Sequence, residues 1–327
     1  EFCQLKNKEP LHRSSLDPRE LEAYQNLVVD YLAYESLINR LAPSTLWSRV
    51  SHIRWHHSCA QLADPLKDSQ IVSNWLTALT KKSAPPRGKL PISPPLLILI
   101  IASLPYIYDG VLNPARFFST RAALCTGLGF MLRSKDYVDA GQPFHELLTW
   151  GKVTFSRDGA SQPLSGDEVS RATRVTLQLS SDKNDLGNVT RSVARTDASV
   201  CCVRALVDWY NVLLAYQPSA LLPEKPVFLS NLDGDALTRK HIATAIKTGI
   251  EAQCNFPKEL TSRFASHSLR HGGMTAYVAA NPASLELLKI WGRWKSDAWK
   301  VYVKIPTTAL DPILTSAQCS APVLELR

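Results

Sequence analysis

The run "HSLRHGGMTAYVAANPASLELLKIWGRWKSDAWKVYVK", residues 267–304, holds His267, Arg270, His271, Arg293 and Tyr302, and only two acids, Glu286 and Asp297. These residue types suit one chemistry. An arginine presents a fixed fork of donors that matches two non-bridging phosphate oxygens, and it stays protonated. Two of them neutralise a phosphodiester and hold it still. A tyrosine hydroxyl near a general base can then attack phosphorus, while a lysine or histidine protonates the departing oxygen. Guanidinium charge does the work of a metal ion, so carboxylate ligands are not needed. Each residue also has an ordinary reading: His267 as a cap or core histidine, Tyr302 as an aromatic packed beside Trp299. The set carries meaning through joint order and spacing.

The elements that must position these groups can be read from periodicity. "HSLRH" heads a helix running through Met274, Tyr277 and Val278, with His267 and Arg270, three apart, on one side of it. After Asn281 and Pro282, a second helix is expected from Ser284 and a third from Ser296. Upstream, helical patterns cover 94–108 and 114–131, and strands are expected at "KVTFS", "RVTLQLS" and "NVTRSV", the last two joined by the turn "SDKNDLG". Helices return at 202–216 and 239–252. The first part reads as all helix: a Ser or Asp cap and Pro18, then Leu21, Tyr24, Val28, Tyr31 and Leu32 at helical spacing. Two more amphipathic segments follow near 44–59 and 69–80. Between the parts, "TKKSAPPRGKLPISPP" has the composition of an exposed linker, placed at 83–93. The expected fold class is mainly α with a small β-sheet (α+β): a helical domain over 1–82, then a mixed domain over 94–304.

With 327 residues, 45% of them apolar and 20% charged, the chain has the composition of a soluble two-domain protein. The apolar run "LLILIIA" is cut by Ser103 and Pro105, far short of the roughly 20 residues that span a bilayer, so neither a membrane helix nor a signal peptide is expected. Seven scattered cysteines without CxxC spacing suit a reduced, intracellular protein. His52, His56 and Cys59 could share a helix face, but without a fourth ligand they are read as helix surface, and no metal is expected. The net charge of +8 points to a polyanionic partner, and eight Lys/Arg against three Asp/Glu over 258–304 place a net +5 of it in that segment. The opening "EFCQ" lacks an initiator methionine, as expected of a fragment.

"HSLRHGGMTAY" resembles the H-x-x-R box of the tyrosine recombinases (phage integrase family), and "WGRWKSDAWKVYVK" resembles the segment that ends on their nucleophilic tyrosine. Arg293 stands nine positions before Tyr302, where that family usually carries His or Trp. The "G-R-W-x-S-D-A" ending is similar to the recombinases of eukaryotic mobile elements of the DIRS and crypton type. The family's first arginine matches Arg133 in "CTGLGFMLRSKDYV". Its hairpin-turn lysine matches Lys183, with Lys152, near another predicted strand, as the competing alignment.

The resemblance implies that Tyr302 attacks a DNA phosphate, giving a 3′-phosphotyrosyl link, while Arg133, Arg270 and Arg293 grip the non-bridging oxygens. Lys183 would protonate the leaving oxygen and His267 would orient or deprotonate the tyrosine. No cofactor and no metal are implied. The implied partners are double-stranded DNA and a homo-tetramer on two sites. Residues 1–82 would be the core-binding domain, and the tail 305–327, with Leu310, Ile313 and Leu314 at helical spacing, would dock on a neighbouring protomer. The implied location is intracellular, the nucleus in a eukaryote. A type IB-like topoisomerase and a catalytically idle DNA-binding protein derived from a mobile element are the rival readings.

Overall fold

The computed structural model describes residues 17–83, 88–107, 114–158, 162–180, 189–231, 234–280 and 289–292. The chain divides into two compact units, Glu1–Arg87 and Gly88–Arg327.

The first unit is a small helical bundle of α1 (Pro18–Leu37), α2 (Pro43–Cys59) and α3 (Gln70–Lys82). Proline opens α1 and α2, where its missing N–H is no loss. The Asp17 carboxylate accepts from the Arg19 N–H at 2.7 Å, and Ser69 caps α3 through the Val72 N–H. Tyr24, Val28, Leu32, Leu46, Val50, Leu66, Val72 and Leu76 form the core. Each fully buried aliphatic side chain contributes roughly 1.5–3 kcal/mol. Trp47, which shares the apolar pattern of α2, faces outward instead and is 41% exposed, while His57 is the buried histidine, its Nδ1 2.9 Å from the Ile53 carbonyl.

The second unit holds α4 (Pro94–Ile107), α5 (Pro114–Gly129), β1 (Val153–Ser156), β2 (Arg174–Leu179), β3 (Val189–Ala194), α6 (Cys202–Tyr216), α7 (Arg239–Cys254), α8 (Lys258–Thr261) and α9 (His267–Ala280). The chain is therefore mainly helical with a small sheet, as the sequence indicates. The strands form one antiparallel sheet in the order β1-β2-β3, with Val153 opposite Leu177 and Leu177 opposite Arg191. Val175, Leu177 and Leu179 are buried at alternate positions. Helices α5 and α6 pack together, as do α4 and α7, and α9 lies against α4 and α5. The apolar run of α4 is a core helix: Leu96, Leu97, Ile100 and Leu104 are all buried.

Two stretches depart from their expected form. The described end of the linker is pinned: Leu90 N–H donates to the Arg263 carbonyl and Ile92 N–H to that of Ser268, both at 3.0 Å, and both side chains are buried. Helix α5 stops at Gly129, two residues before its periodic pattern ends. There Met131 adopts a left-handed conformation (φ 50°). Its N–H donates to Leu128, and the Leu132 N–H to Gly127, the paired bonds of a Schellman cap.

Candidate active site

That cap delivers Arg133. The chain leaves α5 extended at Arg133 (φ −75°, ψ 149°), which heads a 3₁₀ turn, Ser134–Asp136, and whose N–H donates to the Asp136 carboxylate at 2.8 Å. A left-handed non-glycine residue costs of order 1 kcal/mol, and the Met131 carbonyl gains a partner that offsets it: Arg270 donates to it through Nη1 at 2.7 Å. A second guanidinium nitrogen of Arg270, Nη2, donates to the Gly292 carbonyl. Arg270 is 1% exposed, so a buried charge joins the end of α5, helix α9 and the residue that precedes Arg293.

Helix α9 reaches this position because Gly272 and Gly273 follow "HSLRH". A Cβ on Gly272 would run into the Ile92 carbonyl, and one on Gly273 into that of Leu128. The helix therefore packs directly onto two backbones, and Tyr277 adds a bond from its hydroxyl to the Gly129 carbonyl at 3.2 Å. Neither glycine belongs to the H-x-x-R spacing, and the "GG" pair within a helical pattern is the signal for a close approach.

His267 and His271, one turn apart, meet edge to face with ring centroids 4.8 Å apart. Burial, then the Arg270 and Arg133 guanidiniums, hold His267 down at about 4. Burial, His267 and Arg270 bring His271 down to about 3. Both rings are neutral at pH 7, so His267 is able to accept a hydrogen bond or a proton beside two fixed positive charges.

The segment entering Arg293 is held twice. Arg270 takes the Gly292 carbonyl, and Arg191 of β3, 4% exposed, donates to the Ile290 carbonyl at 3.4 Å and lies 5.1 Å over the Trp291 ring. Arg191 also went unremarked in the sequence, where its place between Val189 and Val193 in a period-2 pattern marks it as a charge in an apolar register.

A cavity of roughly 770 Å³ opens beside Arg133 and His267, lined also by Lys135, Arg239, Lys240 and Ser266. None of its described lining residues is Asp or Glu. Arg239 and Lys240 open α7 behind the cap Thr238, whose box is closed by His241 in place of the usual glutamate. Burial, Arg116 and Lys240 lower the His241 pKa.

The structure thus brings Arg133, His267 and Arg270 together, and His271 with them. Lys183, Arg293 and Tyr302, and the expected helix from Ser296, lie outside the described residues. Lys152, the competing lysine, is committed elsewhere: its ammonium donates to the carbonyls of His145 (2.6 Å) and Leu147 (2.8 Å) and to Ser180 Oγ (3.1 Å), three acceptors for three protons. Its pKa is lowered by burial, with Glu146 acting in the opposite direction.

No protein-family model matches the chain, and no curated protein sequence does. Among solved structures, the Tn1549 transposon integrase in complex with a circular intermediate DNA aligns over 97% of this chain and 91% of its own, at 11% identity and a TM-score of 0.50. The fold resembles that of an integrase. XerA recombinase aligns over 98% of this chain and 89% of its own (14% identity, TM-score 0.41). XerH site-specific recombinase bound to its difH substrate aligns over 90% and 79% (13% identity, TM-score 0.47). At these identities the likeness to the integrase is one of fold, and the reading of the chemistry rests on the residues themselves. No described helix is long and apolar enough to cross a membrane.

Proposed function

We propose that this chain is a tyrosine-type site-specific DNA recombinase that cuts and rejoins strands through a 3′-phosphotyrosyl intermediate, in a mobile element related to the DIRS and crypton types. The observation that carries this reading is a neutral His267 set beside Arg133 and Arg270, at a cationic cavity whose described lining has no acid. Arg133 and Arg270 hold the non-bridging oxygens of the scissile phosphate, and Arg293 joins them. A free tyrosine hydroxyl has a pKa of about 10, so Tyr302 needs help at neutral pH. His267 gives it, accepting the proton as the oxygen attacks phosphorus. Lys183 protonates the departing 5′-oxygen. The covalent link conserves the phosphodiester energy for rejoining. Residues 1–82 act as the core-binding domain, with phosphate contacts supplying affinity and groove contacts the choice of site. The similarity of fold to an integrase solved with DNA supports duplex DNA as the substrate.

The test is a nicked suicide duplex incubated in the presence of a chelator, comparing the native protein with Tyr302→Phe. Native protein should accumulate a covalent protein–DNA adduct, and the variant none. An equal adduct from the variant would remove Tyr302 as nucleophile. DNA binding without any native adduct would leave the idle DNA-binding reading in its place. Relaxation of a supercoiled plasmid by the monomer, with no exchange between two sites, would favour the topoisomerase reading.

A further inference from the structure

The cavity beside Arg133 holds more positive charge than one phosphodiester needs. Arg133 alone balances the single negative charge of a scissile phosphate, yet Lys135, Arg239 and Lys240 face the same space. At roughly 770 Å³ the cavity falls in the size range, about 300–1,000 Å³, of sites that take ligands far larger than one phosphate group. Three segments supply its lining: the turn after α5, the start of α7 and the start of α9.

The start of α7 is built against ordinary helix electrostatics. The positive end of a helix dipole favours acids, and here the first turn has none and carries Arg239, Lys240 and His241. The glutamate that would close the capping box is replaced by His241, whose Nδ1 accepts the Thr238 N–H at 3.2 Å as a neutral ring. Asp136 accepts from the Arg133 N–H at 2.8 Å and Asp139 from the Gly141 N–H at 2.9 Å. Arg239 and Lys240 are exposed, so they stabilise no core. A local rule broken in this way, at the rim of a cavity, marks a place made for an anion.

We infer that Arg239 and Lys240, with Lys135, hold a second backbone phosphate of the DNA, separate from the phosphate gripped by Arg133 and Arg270. The inference rests on the recombinase reading for its ligand, a duplex phosphodiester. It adds a contact indifferent to base sequence that fixes the register of the strand relative to Tyr302, because two held phosphates define a direction where one defines only a point.

Fluorescence anisotropy of the full chain on a labelled duplex, from 50 to 300 mM salt, reads the contact directly. Each phosphate contact contributes about 0.9 to the slope of log affinity against log salt. The double variant R239Q/K240Q should lower affinity and flatten that slope by about one unit, and R239K/K240R should restore it. A walk of single neutral methylphosphonates along the strand locates the site. Native protein should be penalised at the scissile phosphate and at one further position, and R239Q/K240Q should lose only the second penalty. An unchanged slope overturns the inference, as does a penalty pattern identical in native and variant protein. These outcomes are independent of the adduct assay. A native adduct with an unchanged slope sinks the second phosphate site alone, whereas a flattened slope without any native adduct sinks the recombinase chemistry and leaves the site standing.

Discussion

Two neutral histidines against two guanidiniums make the site sensitive to acid in a direction that can be worked out. In the unfolded chain His267 and His271 bind protons near the ordinary pKa of about 6.5. In the folded chain His267 binds one only at about 4 and His271 at about 3. The unfolded state therefore holds more protons between these limits, and stability present in full above pH 6.5 is lost as pH falls towards 4. The loss is at most about 1.4 kcal/mol per pH unit for each ring. Thermal melts of native protein should shift down between pH 7 and pH 5, and His267→Gln should show a shallower dependence. Equal dependence in the two proteins would contradict a half-buried, neutral His267. The residue-level signals in the sequence are of unequal quality. Motif order singles out Arg133, His267 and Arg270, which the fold brings together, and the "GG" pair points to a close approach, whereas Met131 matters through backbone contacts that no local pattern displays.

At the level of elements, the β2–β3 hairpin was the most readable feature, because Val175, Leu177 and Leu179 alternate and a polar turn follows. The end of α5 was harder. A Schellman cap usually announces itself with glycine at its left-handed residue, but here that residue is Met131, whose side chain packs towards Gly273. The linker misled through its prolines, while Leu90 and Ile92, two apart and both buried, carried the opposing signal. Lys152 braces Ser180, where β2 ends, and its three protons are all in use. Lys183→Met should slow cleavage of ordinary DNA by orders of magnitude, and a substrate with sulfur at the 5′-bridging position, whose leaving group needs no acid, should restore the rate. Lys152→Met should instead lower the melting temperature, with loss of its three bonds costing about 1–3 kcal/mol. Sulfur rescue of Lys152→Met and not of Lys183→Met would exchange the two assignments.

On the scale of the whole molecule, charge concentration was legible early, since 258–304 carries a net +5 of the +8. The cavity was not, because Lys135, Arg239 and His267 come from three segments that only the tertiary fold brings together. If the tail docks on a neighbouring protomer, a chain ending at Pro306 should elute with DNA as a smaller species than the full chain in size-exclusion chromatography. An unchanged elution position would show that the tail is not the link. Finally, Arg270 bonds the Met131 and Gly292 carbonyls from a site 1% exposed, so folding alone would preserve it. In a descendant that had lost its chemistry, selection for a stable chain would still retain this arginine, and its presence would be no witness to activity. Arg239 and Lys240, exposed and burying nothing, are where relaxed selection would first leave a trace.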